Sequence, residues 1–72
     1  MKTNKQIIAD CNALARLFYK MHGYDVPKGY RFDQAHHPQE LGMWNMAAAA
    51  YEFIEKTDVQ NVLAEEEADN AK

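Results

Sequence analysis

The chain lacks the elements that usually stabilise a very small domain. It has 72 residues and one cysteine, Cys11, so an intrachain disulfide is excluded. It also lacks a CxxC motif and any Cys/His pairing of the kind that structural zinc sites use. Domains of this size bury little surface and usually need a disulfide, a metal or a partner subunit. These absences favour support from oligomerisation or from a binding partner.

Long apolar runs and a strong excess of basic charge are lacking as well. No stretch approaches the roughly 18 apolar residues of a membrane span. Asp10 interrupts the apolar residues that follow the charged N-terminus, which is unlike a signal peptide. The net charge is −3, whereas a duplex-DNA binder usually has a basic face and a basic pI. We expect a cytoplasmic protein with no membrane partner and no duplex-DNA partner.

The first predicted helix spans about residues 3–22. Thr3 and Gln6 fit a capping box at its start, and Gly23 fits a C-terminal cap. The apolar residues recur at spacings of four and three, so they share one face. That face carries Ile7, Cys11, Leu14, Phe18 and Met21, and Ile8, Ala15 and Leu17 widen it.

The second predicted helix spans about residues 38–56 and is apolar on nearly every side. Pro38 suits its first position and Glu40 its first turn. A helix of this kind must be covered on more than one side, and a 72-residue chain offers little cover. We therefore predict a homo-oligomer that packs through this helix, with the interface formed by Trp44, Ala47, Ala48, Ala50, Tyr51 and Ile54.

A short third helix is predicted over about residues 58–66. Thr57 and Asp58 can cap it, and Val59, Val62 and Leu63 can cover part of the second helix. The run EEEADNAK that follows is strongly charged. The sequence thus predicts an all-α fold, a helical hairpin plus a short C-terminal helix, as one domain over residues 1–64 with an acidic flexible tail over 65–72.

The connection between the first two helices takes about 14 residues, whereas such connections in small bundles usually take about 2–8. Its sequence, GYDVPKGYRFDQAHH, contains large apolar side chains and a turn signal in VPKG. We expect a structured loop. One interpretation is that its aromatic side chains close the open end of a small core. The other is a binding surface, for a partner or ligand, formed by Tyr24, Lys28, Tyr30, Arg31, Phe32, His36 and His37.

Two chemical alternatives for this loop remain open. Basic residues, among them Arg16, Lys20 and His22 from the first helix, lie beside aromatic rings and a helix N-terminus, which suits a nucleotide or another anion. The segment HHPQE suggests a metal-dependent enzyme using His36, His37 and Glu40, although a metal site needs three or four ligands. Neither GxxxxGK[ST] nor GxGxxG occurs, and no cofactor is expected.

The chain resembles, in general style, small helical accessory proteins of bacteriophages and prophages. The segment ELGMWNMAAAAYEFI is similar to the second helix of phage hairpin proteins that sequester cyclic oligonucleotide signals. Glu52 follows Tyr51 where that family has a basic residue, so no binding residue is carried over. The resemblance implies an anti-defence or host-takeover role.

The hypothesis favoured by these patterns is a small non-enzymatic binding protein. It acts as a helical oligomer that docks on another protein, and that protein is a host factor if the phage resemblance holds. Lys28, Tyr30, Arg31 and Phe32 are the expected contacts. The alternatives are a protein that sequesters a nucleotide or cyclic nucleotide and, last, the metal-dependent enzyme.

Overall fold

The fold is all-α. A computed structural model describes residues 2–70, which form three α-helices and one short 3₁₀ turn. Helix α1 spans Asn4–Met21 and begins with the predicted capping box. The Thr3 hydroxyl accepts a hydrogen bond from the Gln6 backbone N–H at 3.2 Å, and the Gln6 side chain accepts one from the Thr3 N–H at 2.9 Å. Two of the otherwise unpaired donors of the helix start are thereby satisfied.

Helix α1 ends in a Schellman motif. His22 is the C-cap, and Gly23 follows with a φ of 90° that only glycine adopts without strain. The Gly23 N–H donates to the Lys20 carbonyl and the Tyr24 N–H to the Tyr19 carbonyl. The Tyr24 ring stacks on the Tyr19 ring with centroids 5.1 Å apart, which is the apolar contact that accompanies such a cap. The predicted capping role of Gly23 is confirmed.

Helix α2 spans Pro38–Glu55, and its start is the predicted one. The His37 imidazole accepts a hydrogen bond from the Gln39 N–H at 3.2 Å and so caps the helix. The helix ends where Lys56 adopts a left-handed conformation with φ of 60°. α1 and α2 pack as the predicted hairpin.

Helix α3 spans Val59–Asn70 and is longer than the predicted 58–66. Its start is capped twice, because Glu52 accepts from the Val59 N–H at 2.9 Å and Asp58 accepts from the Asn61 N–H at 3.1 Å. Residues 65–70, predicted to form a flexible tail, continue the helix. The Glu65 side chain meets Asn4 at 3.4 Å. Residues 71 and 72 lie outside the described part, and the domain boundary at 64 stays a prediction.

One side of the hairpin is covered by α3 and the loop. The fully or nearly buried apolar residues come from all three helices and the loop: Ile7, Ile8, Cys11, Ala15, Tyr19, Phe32, Trp44, Ala47, Ala48, Tyr51, Val59 and Val62. Phe32 lies in the 3₁₀ turn Phe32–Gln34, which packs against both α1 and α2. Its ring packs edge-on against the rings of Tyr19 and Tyr30.

The predicted α1 face is only partly correct. Leu14 and Phe18 are half-buried, and Met21 and Leu17 are exposed, whereas Tyr19 is buried. The buried line of α1 is rotated toward Ile8, Ala15 and Tyr19 because the loop and α3 cover that edge of the helix. The opposite edge has no cover from the described residues.

Replacing Phe32 with alanine tests the loop's contribution to the core. Phe32 is 0% exposed, and removing a buried phenylalanine side chain typically costs about 3–5 kcal/mol. We expect the Phe32→Ala protein to unfold at much lower denaturant, by circular dichroism. Lys28→Ala, on the exposed part of the same loop, should stay within about 0.5 kcal/mol of the parent. Equal stability of both variants contradicts a core role for Phe32.

Candidate functional site

The loop folds back on the hairpin and forms an ordered surface at its open end. Its turn lies one residue later than VPKG predicts. The Tyr30 N–H donates to the Pro27 carbonyl at 3.1 Å, so Pro27 is the first residue of the turn and Gly29 the third. Gly29 has a φ of 85°, the conformation that favours glycine at the third position.

Asn12 and Asp33 join the loop to α1. The Asn12 side chain donates to Asp33 at 2.8 Å and to the Ile8 carbonyl at 3.1 Å, and it accepts from the Phe32 N–H. Arg31 and Gln34 also donate to the Asp33 carboxylate. Asn12 and Asp33 thus hold the 3₁₀ turn in place and allow Phe32 to enter the core. We call these two residues and their partners the Asn12–Asp33 junction.

The electrostatics of Asp33 follow from this junction. Burial alone would raise the pKa of its carboxyl, since the charged form loses water. The hydrogen bonds from Arg31, Gln34 and Asn12 outweigh burial, and the pKa lies below its ordinary value. Asp33 therefore stays ionised at neutral pH, although its side chain is fully buried.

Arg16 anchors the first half of the loop. Its guanidinium donates to the Val26 carbonyl at 3.2 Å and to the Pro27 carbonyl at 2.9 Å, and it lies 3.7 Å from the Asp25 carboxylate. The Pro27 carbonyl thus accepts two hydrogen bonds, one from Arg16 and one from the Tyr30 N–H of the turn. Arg16, a candidate for anion binding in the sequence, is engaged in these contacts with the loop.

Glu40 joins the loop to both helices. It accepts hydrogen bonds from the Tyr19 hydroxyl at 2.9 Å and from the Tyr30 hydroxyl at 3.3 Å. The pKa of each phenol is raised, first by burial and further by the Glu40 carboxylate. Tyr30, an expected contact, therefore has its hydroxyl turned inward. Its ring remains half-buried.

Apart from half-buried Tyr30, the predicted loop residues fall into two groups. Phe32 is buried and has no surface to offer, so its predicted role as a contact is replaced by a role in the core. The exposed members are Tyr24, Lys28, Arg31, His36 and His37, and Lys20 and His22 from the end of α1 lie exposed beside them. We call these seven residues the loop surface.

The histidines do not complete a metal site. His37 lies 3.4 Å from Glu40, and the same ring nitrogen accepts the Gln39 N–H at the start of α2. Across residues 2–70, no three His, Cys, Asp or Glu side chains converge as metal ligands. The HHPQE segment serves as a helix start in this fold.

Cys11 shows the features of a structural thiol. It is completely buried on α1. Burial, together with the nearby Asp10 and Glu52 carboxylates, raises the pKa of the thiol to about 11. A reactive cysteine has a low pKa and some exposure, and Cys11 has neither.

A cavity of about 400 Å³ opens between α1, the loop and α3. Its walls include the Ile8 and Tyr30 side chains and the Gly29 backbone. Lys5 and Arg31 contribute positive charge, and Glu66 faces Lys5 at 4.0 Å. The volume falls in the usual range of roughly 300–1,000 Å³ for small-ligand sites. Lys5 was not among the predicted ligand-binding residues.

The predicted oligomer interface also divides into two groups. Trp44, Ala47, Ala48 and Tyr51 are buried within one chain, so they are not on its surface. Ala50 is half-buried and Ile54 is exposed. The exposed apolar surface of α2 instead includes Met46 and Phe53, which the interface prediction omitted.

Comparisons with known proteins add no assignment. Neither a protein-family model, nor a curated protein, nor a solved structure matches the chain. Among the described residues, none of the helices is both long and apolar enough to cross a membrane.

Asn12 and Arg16 are the site residues that sequence reasoning misplaced. Both lie outside the apolar face that the sequence predicts for α1. The available signal was their spacing of one helical turn, on the helix next to a long loop that contains Asp33 and many unpaired carbonyls. That spacing could have indicated that the loop folds onto this edge of the helix.

Acidification should weaken the Asn12–Asp33 junction. The pKa of Asp33 is lower in the folded chain than in the unfolded chain. The stability that its ionised form contributes is therefore fully present above the ordinary pKa near 4, and it is lost as pH falls through the pKa of the folded chain. At pH 7 we expect Asp33→Asn to lower the free energy of unfolding by about 1–3 kcal/mol. The gap between parent and variant should shrink between pH 5 and pH 2.

Asp69→Asn is the matched control, because Asp69 is exposed near the end of α3. It removes the same charge without touching the junction and should change stability little at either pH. Urea denaturation at several pH values provides the measurement. If the difference in free energy of unfolding between the parent and Asp33→Asn stays constant with pH, the ionised form of Asp33 does not stabilise the fold.

Proposed function

We propose that this chain is a small non-enzymatic binding protein that acts by docking on another protein through the loop surface. It works as a helical oligomer. The observation that carries the proposal is the fixed conformation of an exposed loop rich in aromatic and basic residues. Binding residues are often found on loops that a rigid scaffold positions.

The anchors of the loop support this proposal because they lie beneath it. From the inner side, Arg16 and Asn12 bind the loop backbone, and Glu40 accepts a hydrogen bond from the Tyr30 hydroxyl. The loop surface is left facing outward, so docking does not require the loop to order itself. A surface that is already ordered avoids much of the entropy cost of binding.

The character of the loop surface favours an acidic protein partner. Lys20 and Lys28 are exposed, and Arg31 remains about half exposed while it holds Asp33. The Tyr24 ring is stacked on Tyr19 yet half exposed, so it can act as a rigid aromatic contact. Tyrosine and arginine are enriched among the residues that dominate binding energy at interfaces. If the phage resemblance holds, the partner is a host protein.

Paired variants test the docking surface. Tyr24→Ala combined with Lys28→Gln removes an aromatic contact and a charge, and neither side chain belongs to the core. With the purified tagged chain as bait, we expect the double variant to lose the partner that the parent captures from host lysate. Affinity should fall by at least ~30-fold once the partner is purified.

Lys5→Gln is the charge-matched control, because Lys5 is equally exposed but lies at the cavity rather than on the loop surface. It should bind the partner like the parent. Circular dichroism should show unchanged helix content in both proteins. Capture that survives in the double variant removes the loop surface from the proposal.

A second candidate, nucleotide sequestration, is favoured by the cavity. Lys5 and Arg31 place two cations at a space of about 400 Å³, beside the Tyr30 ring. Arg31 uses its Nε and one terminal nitrogen on Asp33, so its other terminal nitrogen keeps its donors free of that carboxylate. A nucleotide suits this combination, because its phosphate can bind the two cations and its base can stack on the aromatic ring.

The cavity is tested by thermal shift with named nucleotides. Adenosine, guanosine and uridine monophosphates and cyclic adenosine monophosphate are the probes. A ligand present at 100 times its Kd stabilises the fold by about 2.7 kcal/mol, so the Tm should rise by several degrees. Lys5→Gln should abolish the rise and Lys28→Gln should leave it unchanged. The absence of any shift across the four probes removes this candidate.

A further inference from the structure

The uncovered side of the hairpin carries large apolar side chains from both helices. On α2, Met46, Phe53 and Ile54 are 47%, 78% and 71% exposed, and on α1, Leu17 and Met21 are 54% and 75% exposed. Half-buried Met43 and Ala50 lie on the same side of α2, as their helical spacing shows. We call these seven residues the bare face.

The opposite placement of α3 explains why this face is uncovered. α3 contacts α2 through Asn45, Trp44 and Glu52, which lie on the other side of that helix from Met46 and Ala50. On α1, the loop and α3 are held by Asn12 and Asn4, away from Leu17 and Met21. The described part of the chain therefore leaves the bare face open.

The area of the bare face is sufficient for a dimer. With roughly 200 Å² for a side chain of this size, the five exposed residues leave on the order of 600 Å² accessible. A typical stable interface buries about 800 Å² per partner, and the half-buried neighbours and the rim can supply the rest. The bare face therefore lies at the upper end of the range for the largest apolar patch on an ordinary monomer, about 300–600 Å², and patches of that size are often functional.

We propose that a second copy of this chain covers the bare face, with the two α2 helices packed antiparallel. The small residues Ala49 and Ala50 lie near the middle of this side of α2 and allow the two backbones to approach closely. Met46, Phe53 and Ile54 of each copy then flank the crossing. The two hairpins together form a four-helix arrangement.

The charge distribution favours the antiparallel orientation. The C-terminal end of α2 carries Glu55 and Lys56, and Asp58 follows it, which leaves one net negative charge, whereas Lys20 lies at the loop end. A parallel dimer would bring like ends together. The antiparallel dimer places the acidic end of one copy beside the loop end of the other.

This dimer extends the proposed function. Only its biological use rests on that function, because the dimer itself is argued from the bare face. The antiparallel copies present their two loop surfaces at opposite ends, so one dimer can contact two partners or two sites on one partner. Binding through both surfaces can raise the overall affinity well above that of one surface. The bare face and the loop surface share no residues, so their tests are independent.

The first test is the solution mass of the full chain, by native mass spectrometry and light scattering. We expect twice the 8.3 kDa chain mass. Phe53→Glu places a charge on the bare face without disturbing the core, and it should raise the dimer Kd by at least ~30-fold. Tyr24→Glu, also an exposed aromatic but on the loop surface, should leave the dimer intact. A monomeric parent at 100 μM, or a dimer unchanged by Phe53→Glu, overturns the proposal.

The second test reads the orientation by cross-linking. Gln39 and Ile54 are exposed near opposite ends of α2 on the bare side, and Cys11 is too buried to react. With a short bismaleimide, an antiparallel dimer should cross-link a mixture of Gln39→Cys and Ile54→Cys proteins, while each protein alone stays uncross-linked. Cross-linking of each variant with itself indicates a parallel dimer and overturns the orientation. If the partner does not bind although the dimer is intact, the proposed function is refuted and the proposed dimer is not.

Discussion

The hydrogen bonds between Asn12 and Asp33 are the interaction on which the rest of the structure depends. They fix the 3₁₀ turn to α1, and the turn carries Phe32 into the core between α1 and α2. Without Phe32 the hairpin would be open at this end, because the chain has too few residues to fill it otherwise. A buried carboxylate is costly unless it is paired and hydrogen-bonded, and Asp33 meets that condition through Arg31, Gln34 and Asn12.

The same interaction divides the loop into an inner and an outer surface. Arg16 and Glu40 satisfy polar groups on the inner side, and Tyr24, Lys28 and His36 are left outside. Core formation and a binding surface are therefore not alternatives for this segment. Phe32 lies in the core, Tyr24 is half exposed, and Tyr30 is half-buried between the two.

Local signals predicted the helices well. The capping box at Thr3, the glycine at the end of α1 and Pro38 at the start of α2 each involve neighbours a few residues apart, and all three are confirmed. The tertiary contacts were less predictable. Tyr19 was missed as a core residue, and α3 runs past the predicted end, because which edge of α1 the loop and α3 cover depends on contacts between distant residues such as Asn12 and Asp33.

The apolar character of α2 illustrates the same limit. The sequence correctly indicates that this helix needs cover on more than one side, but it does not indicate which residues the chain covers itself. Trp44 and Tyr51 face α1 and α3, whereas Phe53 and Ile54 are left outside. A helix with two apolar sides in a chain of 72 residues has one side more than its own fold can bury. The exposed side therefore carries the strongest physical reason for this protein to associate, and the proposed dimer would cover it with a second copy of the same side.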